Sequence, residues 1–388
     1  MKLDFTRPDA PIPLFKVAMS EEAIEASVEV LRSGYIGQGP KVDEFEERIK
    51  KYIGHDHVVT TNSATSALHM AGKFLKKKSE PLRNTVLTTP LTCTATNWPF
   101  LANDLDLKWV DVDPKTMNMD LDDLARKLDN TVVGIVVVHW GGNPVDLDAL
   151  YELVDRHEKL YNYRVNVVED CAHAWGATYK DRSVGVRDSF GVFSFQAIKH
   201  LTSIDGGALC VPSLDDYNES KLMRWYGIDR EGNRKDFRCE ADIKNWGFKF
   251  HMNDVSAAVG MANMNLAAEN LEHNRELARY YDNYLSAAEN VRPVTAQKDS
   301  VPAYWLYTIR VLNGKRDNLM RHLKEAGIAS SRVHERNDKH TCVLKYRAML
   351  PGLEQASKEM LCIPMGWWIS EDDRKYIITT INKWDNNQ

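Results

Sequence analysis

The stretch Val132 to Val138 reads VVGIVVV, with no polar residue at any alternate position. A strand that is apolar on both faces has to be covered on both, which points to a parallel sheet with helices packed above and below it. Other short apolar runs suit the same sheet: Val58 to Thr61, Thr85 to Thr89, Leu107 to Val110 and Val165 to Glu169. Between them lie segments with apolar residues at helical spacing, near Thr94 to Ala102, Leu121 to Leu128 and Leu147 to Glu158. The alternation predicts an α/β fold.

Ahead of this core, an extended Pro-rich opening (Pro8, Pro11, Pro13) leads to Ser20, which caps a helical pattern running to about Arg32. A glycine loop (Gly34, Gly37, Gly39) and a second helix, Val42 to Ile53, follow, and Asn62-Ser63 then offers a cap for a helix through Leu75. Phe190 to Phe195 and Gly207 to Val211 read as two strands joined by a loop, with no helix between them. After Asn253 a helical stretch runs to about Ala288, then come a strand at Tyr304 to Leu312, a helix at Arg316 to Ala326 and a Ser370/Asp373 capping box. The expected division is a large α/β domain over residues 1–252 and a smaller C-terminal α+β domain over 253–388, entered by the long helix.

Net charge is -5, from 50 basic and 55 acidic residues without a long block of either sign, so no footprint for nucleic acid is present. The apolar runs fall far short of the roughly 18 residues that span a bilayer, and the N-terminus lacks an apolar leader core; a soluble, cytoplasmic protein is expected. Six scattered cysteines (Cys93, Cys171, Cys210, Cys239, Cys342, Cys362) form no C-x-x-C pair and read as reduced thiols, with no metal site.

The segment Val165 to Gly207 carries the chemistry. Asp170 ends an apolar strand, where open α/β sheets place their ligand sites. Such an acid is commonly just a helix cap, and a lone lysine means nothing. Lys199, however, stands in the loop after the next strand, close behind Ser194 and ahead of Gly206-Gly207. A pyridoxal cofactor requires an amine to carry it, a carboxylate for its ring nitrogen, and hydroxyls or backbone amides for its phosphate. Lys199, Asp170 and Ser194 supply all three, and small residues opening a helix at Asn62-Ser63-Ala64-Thr65-Ser66 add an anion cradle.

These and further stretches resemble the fold-type I aminotransferases of the DegT/DnrJ/EryC1/StrS family, which act mainly on nucleotide-linked keto-sugars. The landmarks are GYIGQGPKVDEFE (Gly34 to Glu46), NSATSALHM (Asn62 to Met70), PLTCTATN (Pro90 to Asn97), HWGGNPVDLD (His139 to Asp148), EDCAHAWGA (Glu169 to Ala177), FSFQAIKHLTSIDGG (Phe193 to Gly207) and WGFKFHMNDVSAAVG (Trp246 to Gly260). The resemblance covers nearly the whole chain and implies a mainly parallel, seven-stranded-type sheet flanked by helices, with pyridoxal 5'-phosphate as cofactor and its pyridoxamine form as intermediate.

Residue by residue, the resemblance implies that Lys199 carries the cofactor as a Schiff base and shuttles protons, and that Asp170 pairs with the ring nitrogen. It places His173 at the ring hydroxyl and Ala64, Thr65 and Ser194 at the phosphate. Tyr35, Ile36 and Gly37 match a loop over the sugar, and Arg332 and His334 a substrate-facing tract. The family's ring-stacking aromatic aligns with Cys93, so Trp98 or Trp140 is the expected substitute. Lys249 replaces an Asn that reaches the neighbouring subunit's cofactor phosphate, and His251 replaces a substrate-contacting Arg, both within a homodimer. His139 is weaker, since a histidine at a strand end is as often structural.

The implied reaction moves an amino group from Glu or Gln to a nucleotide-linked keto-sugar, foremost C4 of a 4-keto-6-deoxyhexose. A 3-keto sugar aminotransferase, a sugar 3-dehydratase using the pyridoxamine form, and a non-catalytic sugar-sensing regulator are the alternatives. The dehydratase carries His where Lys199 stands; here the histidine is one place later, at His200.

Overall fold

A computed structural model of the chain describes residues 10–230, 232 and 242–388, so Pro8 and Cys239 lie outside the described residues. Its strands are β1 (Val58–Thr61), β2 (Thr85–Thr88), β3 (Asp106–Trp109), β4 (Val132–Val138), β5 (Asn166–Asp170), β6 (Thr178–Tyr179), β7 (Arg182–Ser183), β8 (Phe190–Ser194), β9 (Gly207–Cys210), β10 (Val291–Pro293), β11 (Ser300–Val301), β12 (Tyr307–Val311) and β13 (Met360–Ile363). Seven of them form the main sheet in the order β1-β9-β8-β5-β4-β2-β3. Neighbours from β8 to β3 are parallel, while β9 runs antiparallel to both β8 and β1. The mainly parallel seven-stranded sheet is as the sequence predicts.

Strand β4 is buried along its whole length, as its pattern requires. Its single glycine has a packing reason: a Cβ at Gly134 would come within 2.5 Å of Leu75 Cδ1 on the helix Ala64–Lys77. One core layer joins that helix to β2, β4, β8 and β9 through Leu68, Phe74, Val86, Val136, Phe190 and Leu209, and another lies on the opposite face around Phe45, Ile135, Val167 and Phe195. Fully burying an aliphatic or aromatic side chain of this kind contributes about 1.5–3 kcal/mol.

A third cluster, including Leu277, Tyr281, Ile309, Leu361 and Ile378, packs the antiparallel sheet β10-β12-β13 against helices Met264–Leu285 and Glu371–Asp385. Ser370 and Asp373 form the expected reciprocal cap. Two expectations need correction. The helical stretch after Asn253 is two helices, Asp254–Ala262 and Met264–Leu285. The break falls at Asn263, whose side chain accepts from Ser20 N–H at 3.1 Å and donates to Thr202 C=O at 3.0 Å, tying the junction to two other segments. The strand expected from Tyr304 begins only at Tyr307, because Tyr304 has φ 52°, a left-handed conformation that no ladder accommodates. No helix among the described residues is long and apolar enough to cross a membrane.

Candidate active site

Asp170 closes β5 and is buried. Its Oδ2 accepts from Thr96 Oγ1 at 2.7 Å, and its Oδ1 from Ala172 N–H at 3.0 Å. Burial raises its carboxyl above the ordinary range, and the Thr96 and Ala172 donors and the Lys199 charge pull against that shift. Thr96 is itself held by Thr92, their hydroxyls 2.7 Å apart.

Lys199 sits in the connection between β8 and β9. Phe195 N–H donates to Gly206 C=O and Ser203 N–H to Phe195 C=O, each at 2.9 Å, while Lys199 N–H donates to Gln196 C=O at 2.9 Å. Lys199 is half-buried, and desolvation lowers its amine to about 7 against the fields of Asp170 and Cys93. The Cys93 thiol and the Asp170 carboxylate therefore both act on this one nitrogen. His200 turns elsewhere: its Nε2 lies 3.2 Å from Asn274 Nδ2, and burial pushes it down to about 3. The Asp170 charge acts on the Lys199 amine.

His173 completes this group. Its ring stacks on Trp305 with centroids 4.0 Å apart and lies nearly parallel to His334 at 5.9 Å. Burial and the Lys199 charge hold both imidazoles below their ordinary value, His334 at about 4. Trp140 meets both rings edge-on and donates from Nε1 to Thr308, whereas Trp98 packs on His340. Trp305 is the aromatic whose face lies against the Lys199 amine.

An anion cradle stands nearby. Ser63 caps the helix Ala64–Lys77 through Ser66 N–H, leaving the Ala64 and Thr65 N–H groups without an acceptor among the described residues. Ser194 pairs with Gly207 across the β8–β9 ladder. A Cβ on Gly207 would lie 2.5 Å from Ala64 N, so only glycine lets that strand come so close to the helix start.

Other candidates gather apart from Lys199. Asp254 accepts from the N–H groups of Gly39, Lys41 and Val42 and donates its own N–H to Gly37 C=O, which pins the loop that displays Tyr35 and Ile36 to solvent. His251 packs on Trp225 at 3.6 Å between centroids; burial and the Lys249, Arg224 and Arg230 cations hold it at about 4. Gln38, Gly39, Arg224, Trp225 and Arg230 border a cavity of about 690 Å³ on this side. Lys249 is exposed, and its carbonyl accepts from Asn62 Nδ2 at 3.2 Å beside the cradle. Arg332 pairs with Glu335 at 3.6 Å.

His139, Glu169 and Cys171 bring potential ligand atoms within 4.8 Å of one another beneath Asp170. They form a closed hydrogen-bonded cluster. His139 Nδ1 accepts from Val145 N–H, which leaves Nε2–H to donate to Glu169, and Gly185 N–H and the Ser189 hydroxyl also bind that carboxylate. Sequence reasoning passed over Thr96, Trp305 and Asn337. Asn337 is fully buried; it donates from Nδ2 to Thr92 C=O (2.8 Å) and from its backbone to Pro90 C=O (2.8 Å), and accepts from Asn97 Nδ2 (2.9 Å).

Residues 17–382 match the model of the DegT/DnrJ/EryC1/StrS aminotransferase family. The chain belongs to this family. It is similar to the sugar aminotransferase CalS13 from Micromonospora echinospora, with 44% identity, TM-score 0.92, and coverage of 96% of this chain and 99% of that one. It is 31% identical to UDP-4-amino-4-deoxy-L-arabinose–oxoglutarate aminotransferase from Shewanella sediminis, over 82% of each chain. Spr1654 from Streptococcus pneumoniae, solved in a PLP form, is 25% identical with TM-score 0.87 and coverage of 97% and 99%. As a member of this family the chain is a PLP-dependent aminotransferase. A buried amine in the field of a buried carboxylate, together with bare helix-start N–H groups, is a set of groups that fits the cofactor.

Proposed function

We propose that the protein transfers an amino group from Glu, with Gln as the alternative donor, to C4 of a nucleotide-linked 4-keto-6-deoxyhexose. The observation that carries this reading is the Lys199 amine, which burial lowers to about 7 and which lies in the field of Asp170. When bound, pyridoxal phosphate supplies an electron sink that acidifies the carbon carrying the nitrogen. Lys199 holds the cofactor and, once released, takes and returns the proton at that carbon. Asp170 stays anionic against the ring nitrogen, helped by Thr96 and Ala172.

His173 sits at the ring hydroxyl, and Ala64, Thr65 and Ser194 bind the phosphate. Cys93 borders the ring, and His334 and Arg332 approach the substrate from the C-terminal part. Tyr35, Ile36 and Gly37, with Lys249 and His251, complete the site of a neighbouring copy in a cytoplasmic homodimer. The relative named for a 4-amino sugar nucleotide and oxoglutarate supports both the position and the donor. The turn of His200 toward Asn274 speaks against the dehydratase reading.

The test has two stages. Adding pyridoxal phosphate to the protein should produce a visible absorption band that Lys199→Ala abolishes. Incubation with Glu and a panel of keto-sugar nucleotides should then yield a 4-amino product by mass and fragmentation. A protein that gains no band overturns the assignment of Lys199, and a 3-amino product overturns the assignment of C4.

A further inference from the structure

Trp305 comes from the segment just before β12, far along the chain from the sheet that carries Asp170, yet its ring lies directly against Lys199. The Lys199 Nζ is 3.4 Å from the ring centroid, well within the range in which an ammonium is attracted to an aromatic face. The indole is fixed on three sides: Nε1 donates to Ile198 C=O at 2.8 Å, His173 stacks at 4.0 Å, and Phe15 stacks at 5.2 Å. Because Ile198 is the residue next to Lys199, the ring is bonded to the same loop whose amine it supports.

We propose that Trp305 is the positioning residue of Lys199: its ring gives the amine a resting place when the side chain is not joined to the cofactor, and steadies the protonated form there. This rests on the assignment of Lys199 above. The reaction needs a group that is neutral when it attacks or takes a proton and charged when it gives one back. Burial opposes the charge, and Asp170 and Cys93 favour it. His173, His200 and His334 all feel the lysine's charge, and an imidazole, neutral or cationic, cannot offer it a counter-charge. The quadrupole of the indole face adds attraction for the cation without introducing a titrating group.

The test uses cofactor-free enzyme and follows the growth of the visible band on mixing with pyridoxal phosphate, as a function of pH. Capture requires the neutral amine, so the rate rises with pH through the Lys199 pKa, about 7 in the wild type. A ring face is worth about 0.5–2 kcal/mol to a cation, so Trp305→Leu should move that inflection down by about 0.4–1.5 pH units. Trp305→Phe, which keeps a π face, should restore most of it. A shape-conserving measurement guards against misfolding of the leucine variant: replacing the 10 tryptophans with fluorinated analogues should lower the inflection stepwise as fluorination weakens the quadrupole.

An inflection that stays in place or rises, in Trp305→Leu and in the fluorinated protein alike, overturns the proposal. If the wild type itself forms no Lys199-dependent band, the assignment of Lys199 is what fails. If the band forms normally and only its pH dependence ignores the indole, the inference about Trp305 fails alone.

Discussion

Replacing Gly207 by alanine sets one methyl group against the start of the helix Ala64–Lys77. The new Cβ would stand 2.5 Å from Ala64 N, 2.7 Å from Ala64 Cα and 2.7 Å from Ser63 C, whereas ordinary contact begins near 3.4 Å. All three atoms are backbone, so no rotamer change relieves the overlap, and the helix start has to retreat by about 0.9 Å. Overpacking of this size costs about 1–3 kcal/mol of stability. The retreat also carries the Ala64 and Thr65 N–H groups away from the anion. A hydrogen bond to a charged group is worth about 1.5–3 kcal/mol, so losing one lowers affinity about tenfold to a hundredfold.

The assay titrates wild type and Gly207→Ala with pyridoxal phosphate and, separately, with pyridoxal, which lacks the phosphate. The expected result is a drop of that size for the phosphorylated ligand alone, together with a lowered melting temperature. Undiminished affinity for pyridoxal phosphate would refute the cradle. An equal loss for both ligands would show that the variant disturbs the site as a whole.

Two more predictions concern the charges. Thr96→Val deletes the hydroxyl that donates to Asp170 Oδ2 at nearly constant shape, which should raise that carboxyl by about a further 1–2 pH units and move the acid limb of cofactor binding upward by as much, while Thr96→Ser restores it. An acid limb that does not move in the valine variant removes Thr96 from the account. Burial lowers Lys199 from 10.5 to about 7, so the folded state favours the neutral amine, and the stability this group contributes is present above pH 10.5 and lost as pH falls toward 7. Cofactor-free Lys199→Met should therefore gain in melting temperature over the wild type as pH falls through that window, and level off below it; a difference independent of pH refutes the burial of the amine.

The sheet was legible because its strands are short apolar runs with nothing else to become: β1 and β4 fall on the predicted residues and the others within a residue or two. The Ser20, Ser63 and Ser370 caps were legible because each places an oxygen where a helix leaves N–H groups bare. The helix Leu214–Met223 and strand β13 were not read, since the first lacks a clear apolar face and the second follows its helix without a turn signal. At the site, Asp170 and Lys199 could be found because one segment carries both. Trp305 and Asn337 arrive from the C-terminal third by tertiary packing, and no local pattern marks an aromatic or an amide as bound for a distant cavity.

The buried amide of Asn337 bears on how the site can open. Swinging the C-terminal third outward would strip three hydrogen bonds from the segment Pro90–Asn97, the same segment that carries Cys93 and Thr96, and each polar group left dry and unpaired costs about 1–3 kcal/mol. Opening on that side would also loosen the support under Asp170. The exposed Tyr35–Ile36 loop, which one carboxylate holds from behind, shares none of these three bonds. The C-terminal third and the segment that steadies Asp170 are thus mechanically one piece, so that a displacement of either is felt by the other.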